Sequence, residues 1–564
     1  MNTSLPSVKD VQTPIQTEKT QEIRKTSHPQ SFFSGVLVLT ISNLLVKALG
    51  MLFKIPMNYI VGDTGMGYYN AAYTIYTFFY MLSTAGLPTA VSILVAAARA
   101  AGKKNQCRRI LQISLVLFCG IGIVGCAVML VFAEELAALI GAPPSAGCII
   151  AVSPTLFFIC IASALRGYFQ GMSRMTPTAV SQLLEAFCKV AAGILCAMYA
   201  IRQGFGPHII AAYAVLGLTL GSATSMLYLI IAGLYSGDTS GSVPEDPAAE
   251  PVKVLLTRLA SIAVPITVSS AVMSLTGMID AVLLQRLLQQ SGMAQETATT
   301  LYGNYTSLAV PMFNLPPVLV YPIAYALVPL LTRYRTEKNG MHHSRELISS
   351  ALRMAVLIGA PCGLGLSVLS EPILNLLYRS ASAETAAPLL TILAPSSLLV
   401  CVLAVTNSVL QSIGKAGLPV LSMLAGSIVK ILCTVLLIPG IGITAAPVST
   451  FFCYLTVTAI NLYFLLRHTG MQPELGRTVF RPVAAASVCA LTALAAERIL
   501  AYLLPEKLAV LPAIALAAVV YGLLIRVMHV LGEADLVLLP KGERLRKWLM
   551  KPTKSIPYKS KEIQ

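Results

Sequence analysis

Residues 31–61 read SFFSGVLVLTISNLLVKALGMLFKIPMNYIV. The run exceeds the roughly 20 apolar residues that cross a bilayer core of about 30 Å. Its only charges are Lys47 and Lys54. It reads as an uncleaved transmembrane helix with two lysines at membrane depth. The same texture recurs down the chain. Of 564 residues, 56% are hydrophobic and 11% charged, where soluble domains carry about 25% charged residues. Mean hydropathy is +0.75. These figures exclude a soluble globular enzyme and a disordered chain. The net charge of +16 does not make a nucleic-acid binder of so apolar a chain, and no nucleic acid is expected as a partner.

Apolar runs bounded by charged or turn residues predict an all-α polytopic membrane protein of about fourteen helices. They fall at about 32–60, 69–98, 109–133, 147–171, 177–201, 208–235, 254–288, 302–333, 346–377, 387–412, 417–438, 443–467, 480–503 and 508–530. Positive charge favours the cytoplasmic side of such helices. With the N-terminus inside, 31 of the 40 Lys and Arg residues fall in inside segments and 5 outside. That bias supports fourteen spans with both termini cytoplasmic. The remaining four, Lys47, Lys54, Lys189 and Lys430, lie within spans.

The two halves resemble each other. Ser42, Gly50 and Met51 match Ser269, Gly277 and Met278 at an offset of 227. Gln170, Arg174 and Lys189 match Gln411, Lys415 and Lys430 at an offset of 241. Six helices per repeat keep the copies in the same orientation, the parallel-repeat design of some secondary transporters. The expected organisation is a disordered cytoplasmic tail (1–30), an N-lobe (31–236), a cytoplasmic linker (237–252), a C-lobe (253–468), a final helix pair (477–531) and a basic cytoplasmic tail (532–564). That tail contains Leu545, Trp548 and Leu549 among lysines and arginines. Such a segment lies on anionic lipids of the inner leaflet. The first thirty residues hold no short apolar run with a cleavage site and so are no secretory signal. The twelve cysteines are scattered without a C-x-x-C pair. Neither a zinc site nor a disulfide framework is expected.

A charge in mid-bilayer costs about 3 kcal/mol even on the lenient insertion scale. Such residues usually face a bundle interior or a wet cavity. Lys47 and Lys54 therefore predict a cationic wall suited to an anionic group such as a pyrophosphate. For Lys54 the alternative is snorkelling to the interface. Glu185 and Lys189, four apart on one helix, read as a neutralising pair. Lys430 has no acid four residues before it and is the better cavity candidate. Asp280 has three readings: binding a coupling cation, pairing with a lysine of the other half, or a plain ion pair with Arg286. Gly86, Pro88, Pro265, Pro316 and Pro317 interrupt helices, either as gate elements or as static kinks. No Walker motif and no hydrolase signature occurs. Neither metal nor cofactor is expected, and the predicted activity is transport rather than catalysis.

Four stretches carry a family resemblance. They are Gly62-Asp63-Thr64-Gly65-Met66-Gly67-Tyr68-Tyr69, Leu82 to Pro88, Arg166-Gly167-Tyr168-Phe169-Gln170-Gly171, and Met175 to Gln182. They resemble SpoVB-type and MurJ-type proteins, the lipid II and polysaccharide flippases of the MOP superfamily. The resemblance implies two six-helix lobes plus a final pair forming a groove for a lipid tail. It implies movement of a lipid-linked oligosaccharide, above all the peptidoglycan precursor lipid II, to the outer leaflet by a monomer. It also implies a basic cavity, here assigned to Lys47, Lys54, Arg166 and Lys430. Lysine keeps the charge of the family's arginines but lacks their bidentate fork. Ser83 and Thr84 stand where MurJ-type relatives carry an acid, which leans toward the SpoVB-type branch. Two competing readings remain. A cation-coupled drug exporter of the MATE type needs an acid in the first or seventh helix, and only Asp280 serves. A membrane scaffold leaves the intramembrane charges unexplained.

Overall fold

The structure is a computed structural model. It describes residues 29–235, 251–334, 340–471, 474–532 and 535. The N-terminal tail, most of the linker and the basic stretch around Trp548 lie outside the described residues. No β-strand occurs among the described residues. Among the described residues, sixteen α-helices of ten residues or more carry the architecture. The first seven are α1 (Pro29–Thr84), α2 (Leu87–Ala100), α3 (Lys104–Val131), α4 (Ala146–Gly171), α5 (Met175–Arg202), α6 (Pro207–Tyr235) and α7 (Val252–Ile279). Next come α8 (Gln295–Asn304), α9 (Leu315–Tyr334), α10 (Gly340–Val368), α11 (Ser380–Leu393) and α12 (Ser396–Ser412). The last four are α13 (Gly417–Ile441), α14 (Ala445–Thr469), α15 (Arg481–Leu500) and α16 (Glu506–Val527).

The chain is a multi-pass, all-helical membrane protein. Among the described residues, nine helical segments are long and apolar enough to cross a bilayer, or eleven with two bent pairs counted as one span each. Phe53–Ala100 and Gly417–Thr469, of 48 and 53 residues, are each long enough for two crossings at 1.5 Å per residue.

The breaks fall where backbone chemistry allows them. The expected loop after the first span is a single residue, Gly62, at φ 78° and ψ 169°. Only glycine adopts that conformation readily, and helix continues on either side. The second break comes at Ala85–Gly86, within the expected second helix. Pro88 then occupies the first turn of α2, where its missing N–H costs nothing. The expected eighth helix is divided. A π-helical turn (Tyr305–Ala309) follows α8, a single turn (Val310–Phe313) comes next, and α9 starts at Leu315. The segments on either side of Asn314 bend by 43°. Pro316 and Pro317 thus sit in the first turn of α9 rather than mid-helix. Helix α7 runs unbroken through Pro265, whose side chain lies outside the described residues.

Helix α5 lies along α6 and α13 along α14. One continuous cluster of buried apolar residues, from Phe53 to Ala446, joins the two halves. The final pair docks on the C-terminal half, where the Tyr521 hydroxyl donates to the Leu357 carbonyl (2.7 Å). All twelve cysteines are free.

Candidate functional site

A cavity of about 390 Å³ lies between the halves. From the first half it takes Lys54, Tyr69, Tyr73 and Lys189, and from the second Pro311, Asn314 and Tyr321. Its lining contains two lysines and no carboxylate. Lys189 lies 5.9 Å from the centre of the Tyr73 ring, a cation–π distance.

The place of Lys54 follows from a proline in the other half. In the π-helical turn, the Val310 N–H reaches back to the Tyr305 carbonyl. By the same spacing the Thr306 carbonyl would receive the N–H of residue 311, but that residue is Pro311, which has none. Lys54 Nζ supplies the bond instead, at 2.8 Å. A buried carbonyl left without a donor is costly, so Pro311 creates an acceptor and Lys54 satisfies it across the interface. Lys54 is thereby both a cavity cation and a tie between the halves.

The other charged residues are placed differently from expectation. Arg166 is buried and lines no part of this cavity. Its Nη2 donates to Glu185 Oε2 (2.7 Å) and to Ser225 Oγ (2.7 Å), and its Nε to Ser181 Oγ (3.0 Å). Glu185 therefore pairs with Arg166 rather than with Lys189. A buried guanidinium needs a counter-charge and satisfied donors, and Lys189 is left facing the cavity. Lys430, expected at the head group, is 1% exposed and bonded to Asp280 Oδ2 at 2.7 Å. Asp280 thus pairs with a lysine of its own half, and Arg286 turns instead to the Ala138 carbonyl (3.1 Å). Lys47 belongs to α1, and its side chain lies outside the described residues.

Two close contacts join the halves. In the Gly62–Tyr69 stretch, a Cβ added at Gly67 would stand 2.2 Å from the Thr299 carbonyl oxygen. Around it, Asp63 accepts twice from Ser382 (2.8 Å each), Thr64 meets Thr300 (2.8 Å), and Arg379 donates to the Tyr59 carbonyl (2.8 Å). At the far end of the same helix, a Cβ at Gly86 would stand 2.1 Å from the Ala263 carbonyl oxygen. The Gly86 N–H donates to Thr267 Oγ1 at 3.2 Å. Gly86 is thus a contact point between the halves as well as a break.

Sequence reasoning missed Tyr69, Tyr73, Asn314 and Tyr321, which line the cavity, and Asp63, which ties the halves. It also missed Asp535, which is buried against Arg353 (3.1 Å) and bonded to Ser350. The tyrosine spacing was readable, because Tyr69, Tyr73, Tyr76 and Tyr80 recur at helical intervals on one face.

Residues 32–335 match the family described as polysaccharide biosynthesis protein. Stage V sporulation protein B of Bacillus subtilis (strain 168) is 26% identical over 524 residues, which are 92% of this chain and 99% of that protein. Lipid II flippase MurJ of the same strain is 26% identical over 455 residues, covering 77% and 82% of the two chains. Among solved structures, one described as lipid II flippase MurJ in an inward closed conformation superposes with a TM-score of 0.66. It is 13% identical and covers 87% of this chain and 99% of that one. An inward-facing multidrug resistance MATE family transporter of the MOP superfamily gives 0.62 at 14% identity, covering 77% and 98%.

Proposed function

The chain belongs to the polysaccharide biosynthesis protein family, and from that premise we propose that it is a flippase whose central cavity grips the anionic head of a lipid-linked glycan. The observation that carries this reading is a cavity between the halves with Lys54 and Lys189 and no lining carboxylate. Two ammonium groups lining one cavity without a carboxylate favour an anion. At an effective dielectric of about 20, one ammonium–phosphate contact at 4 Å is worth about 4 kcal/mol. A pyrophosphate offers both lysines a partner. The same field repels a cationic drug, and Asp280, the residue an exporter would need, is occupied by Lys430.

The glycan favoured is lipid II, because the relatives include one named a lipid II flippase. A relative named for sporulation supports use in spore-wall synthesis. The working frame is fourteen crossings, two six-helix lobes and a final pair, with both termini cytoplasmic in a bacterial plasma membrane. The protein acts as a monomer, and its basic tail rests on anionic lipid. Lys47, on the same helix as Lys54, joins the cationic wall. The contacts around Gly67 and Gly86 are the two closures that alternate. An anion arriving at Lys54 competes with the Thr306 carbonyl, so loading the cavity loosens one tie between the halves.

The test is flipping of fluorescent lipid II in vesicles containing the purified protein. Lys54→Ala and Lys189→Ala should each slow it by about tenfold or more, since a hydrogen bond to a charged group is worth about 1.5–3 kcal/mol. No flipping by wild type, together with drug efflux that disappears in Asp280→Asn, would overturn the proposal.

A further inference from the structure

A second cavity, of about 220 Å³, adjoins the first inside the N-terminal half. Tyr73 and Lys189 line both. Beyond them the second cavity is walled by Tyr76, Thr77, Tyr80, Thr155 and Glu185. The tyrosines form a ladder along α1. Ring centres lie 6.2 Å apart for Tyr69–Tyr73, 6.1 Å for Tyr73–Tyr76 and 5.8 Å for Tyr76–Tyr80. The ladder starts at the cationic cavity and ends in the second one.

The chemistry changes along that path. The first cavity sets two ammonium groups among tyrosines and an asparagine and holds no carboxylate. The second offers aromatic faces, hydroxyls and one carboxylate. Arg166 holds Glu185 by Oε2 at 2.7 Å, and no described residue bonds Oε1. Tyr76 is 7% exposed, and no described residue bonds its hydroxyl. An aromatic stripe that served packing alone would close on apolar side chains. This one borders a void lined by hydroxyls and by the Glu185 carboxylate, whose side chain is 28% exposed.

Few ligand groups suit such a wall. A second phosphate would meet the Glu185 charge. An alkyl chain would leave the carboxylate and the Tyr76 hydroxyl unsatisfied. A pyranose has C–H faces that stack on aromatic rings and hydroxyls that donate to a carboxylate. We propose that the second cavity is a sugar site, stacking the first pyranose of the glycan on Tyr76 and Tyr80 while the pyrophosphate sits at Lys54 and Lys189. Lys189, on the shared wall, marks the junction, as the bond between sugar and pyrophosphate requires. This rests on the flippase reading and adds to it the part that selects for sugar.

Binding to the purified full-length chain in nanodiscs tests it with two probes: undecaprenyl pyrophosphate, and the same lipid carrying one N-acetylhexosamine. Wild type should bind the sugar-bearing probe about tenfold more tightly, the scale of one or two good aromatic contacts. Tyr80→Leu should bring the ratio of the two affinities close to one, while Tyr80→Phe, which keeps the ring, should preserve it. A wild-type ratio near one overturns the sugar site even if both lipids bind, and leaves the flippase reading standing. So does a Tyr80→Leu variant that keeps the full preference. If neither lipid binds wild type, both proposals fall together.

Discussion

Removing one partner of the Lys430–Asp280 pair should destabilise the protein strongly, and removing both should not. The ammonium and carboxylate are 2.7 Å apart, with side chains 1% and 13% exposed. No described residue bonds Asp280 Oδ1, so the carboxylate depends heavily on Lys430. Deleting one member of a buried pair leaves an uncompensated charge and costs about 3–5 kcal/mol, whereas apolar replacement of both is often neutral or better. Lys430→Met and Asp280→Leu should therefore each lower the unfolding free energy by that amount. The double variant should return to within about 1 kcal/mol of wild type. Reversible unfolding in mixed SDS–detergent micelles measures all four corners of the cycle. Single losses below about 1 kcal/mol would refute the reasoning, as the criterion for a buried pair would then fail. A double variant no better than the singles would refute it equally. Flipping by the double variant adds a second arm: if it folds as wild type and flips nothing, the pair works in transport and not only in packing.

Three further outcomes follow from the contacts between elements. Pro311→Ala returns an N–H that can bond the Thr306 carbonyl and compete with Lys54. Acylation of Lys54 by an amine-reactive ester, read by peptide mass mapping, should then be several-fold faster, and an unchanged rate would contradict the tie. Gly67→Ala places a methyl against the Thr299 carbonyl, which backbone cannot yield without moving the halves apart. The Thr64→Cys/Thr300→Cys pair should cross-link readily in the native background and poorly with Gly67→Ala added; equal yields would show that the closure tolerates the methyl. Arg353→Ala strands the buried Asp535 carboxylate. It should release the segment after α16, seen as faster tryptic cleavage at Lys541, and no acceleration would mean that the segment is held elsewhere.

Helix class and membrane insertion were legible because they rest on the apolar content of whole segments, which tertiary contacts do not override. Breaks were less legible. Gly62 reads as a loop by composition, yet one glycine at positive φ suffices to turn the chain. The prolines 316 and 317 read as interior kinks, yet a helix that starts beside them loses no hydrogen bond. Charge pairing was the least legible. Glu185 and Lys189 obey the i,i+4 rule, but Arg166 comes from another helix with a better fork and two serines beside it. No local spacing reveals a partner at a distance of 19 residues, still less Asp280 for Lys430 at 150. The Lys54–Thr306 bond was hidden for the same reason, although its cause, a proline removing the matching donor, is written in the chain.

The repeat sharpens what those pairings mean. Lys189 and Lys430 are the two intramembrane lysines that the 241-residue offset pairs. One faces an open cavity over Tyr73, and the other is neutralised by Asp280. If both had stayed unpaired, an anion would be drawn to either half, and movement of one half past the other would gain nothing from its charge. With Lys430 silenced, the free positive charge at the cavity sits in the first half, on Lys54 and Lys189. The second half contributes a carbonyl, an asparagine and the Tyr321 ring. An anionic head group is then held by the first half, on a lysine that also carries one of the ties to the second. Exchanging the Lys54–Thr306 bond for a Lys54–phosphate bond lets the second half move without carrying the charge along. On that argument, placing a charge on the second half at the cavity by Asn314→Lys should trap the head group between the halves. Binding of undecaprenyl pyrophosphate should then tighten while lipid II flipping slows, and a variant that binds and flips as wild type does would show that the asymmetry has no part in transport.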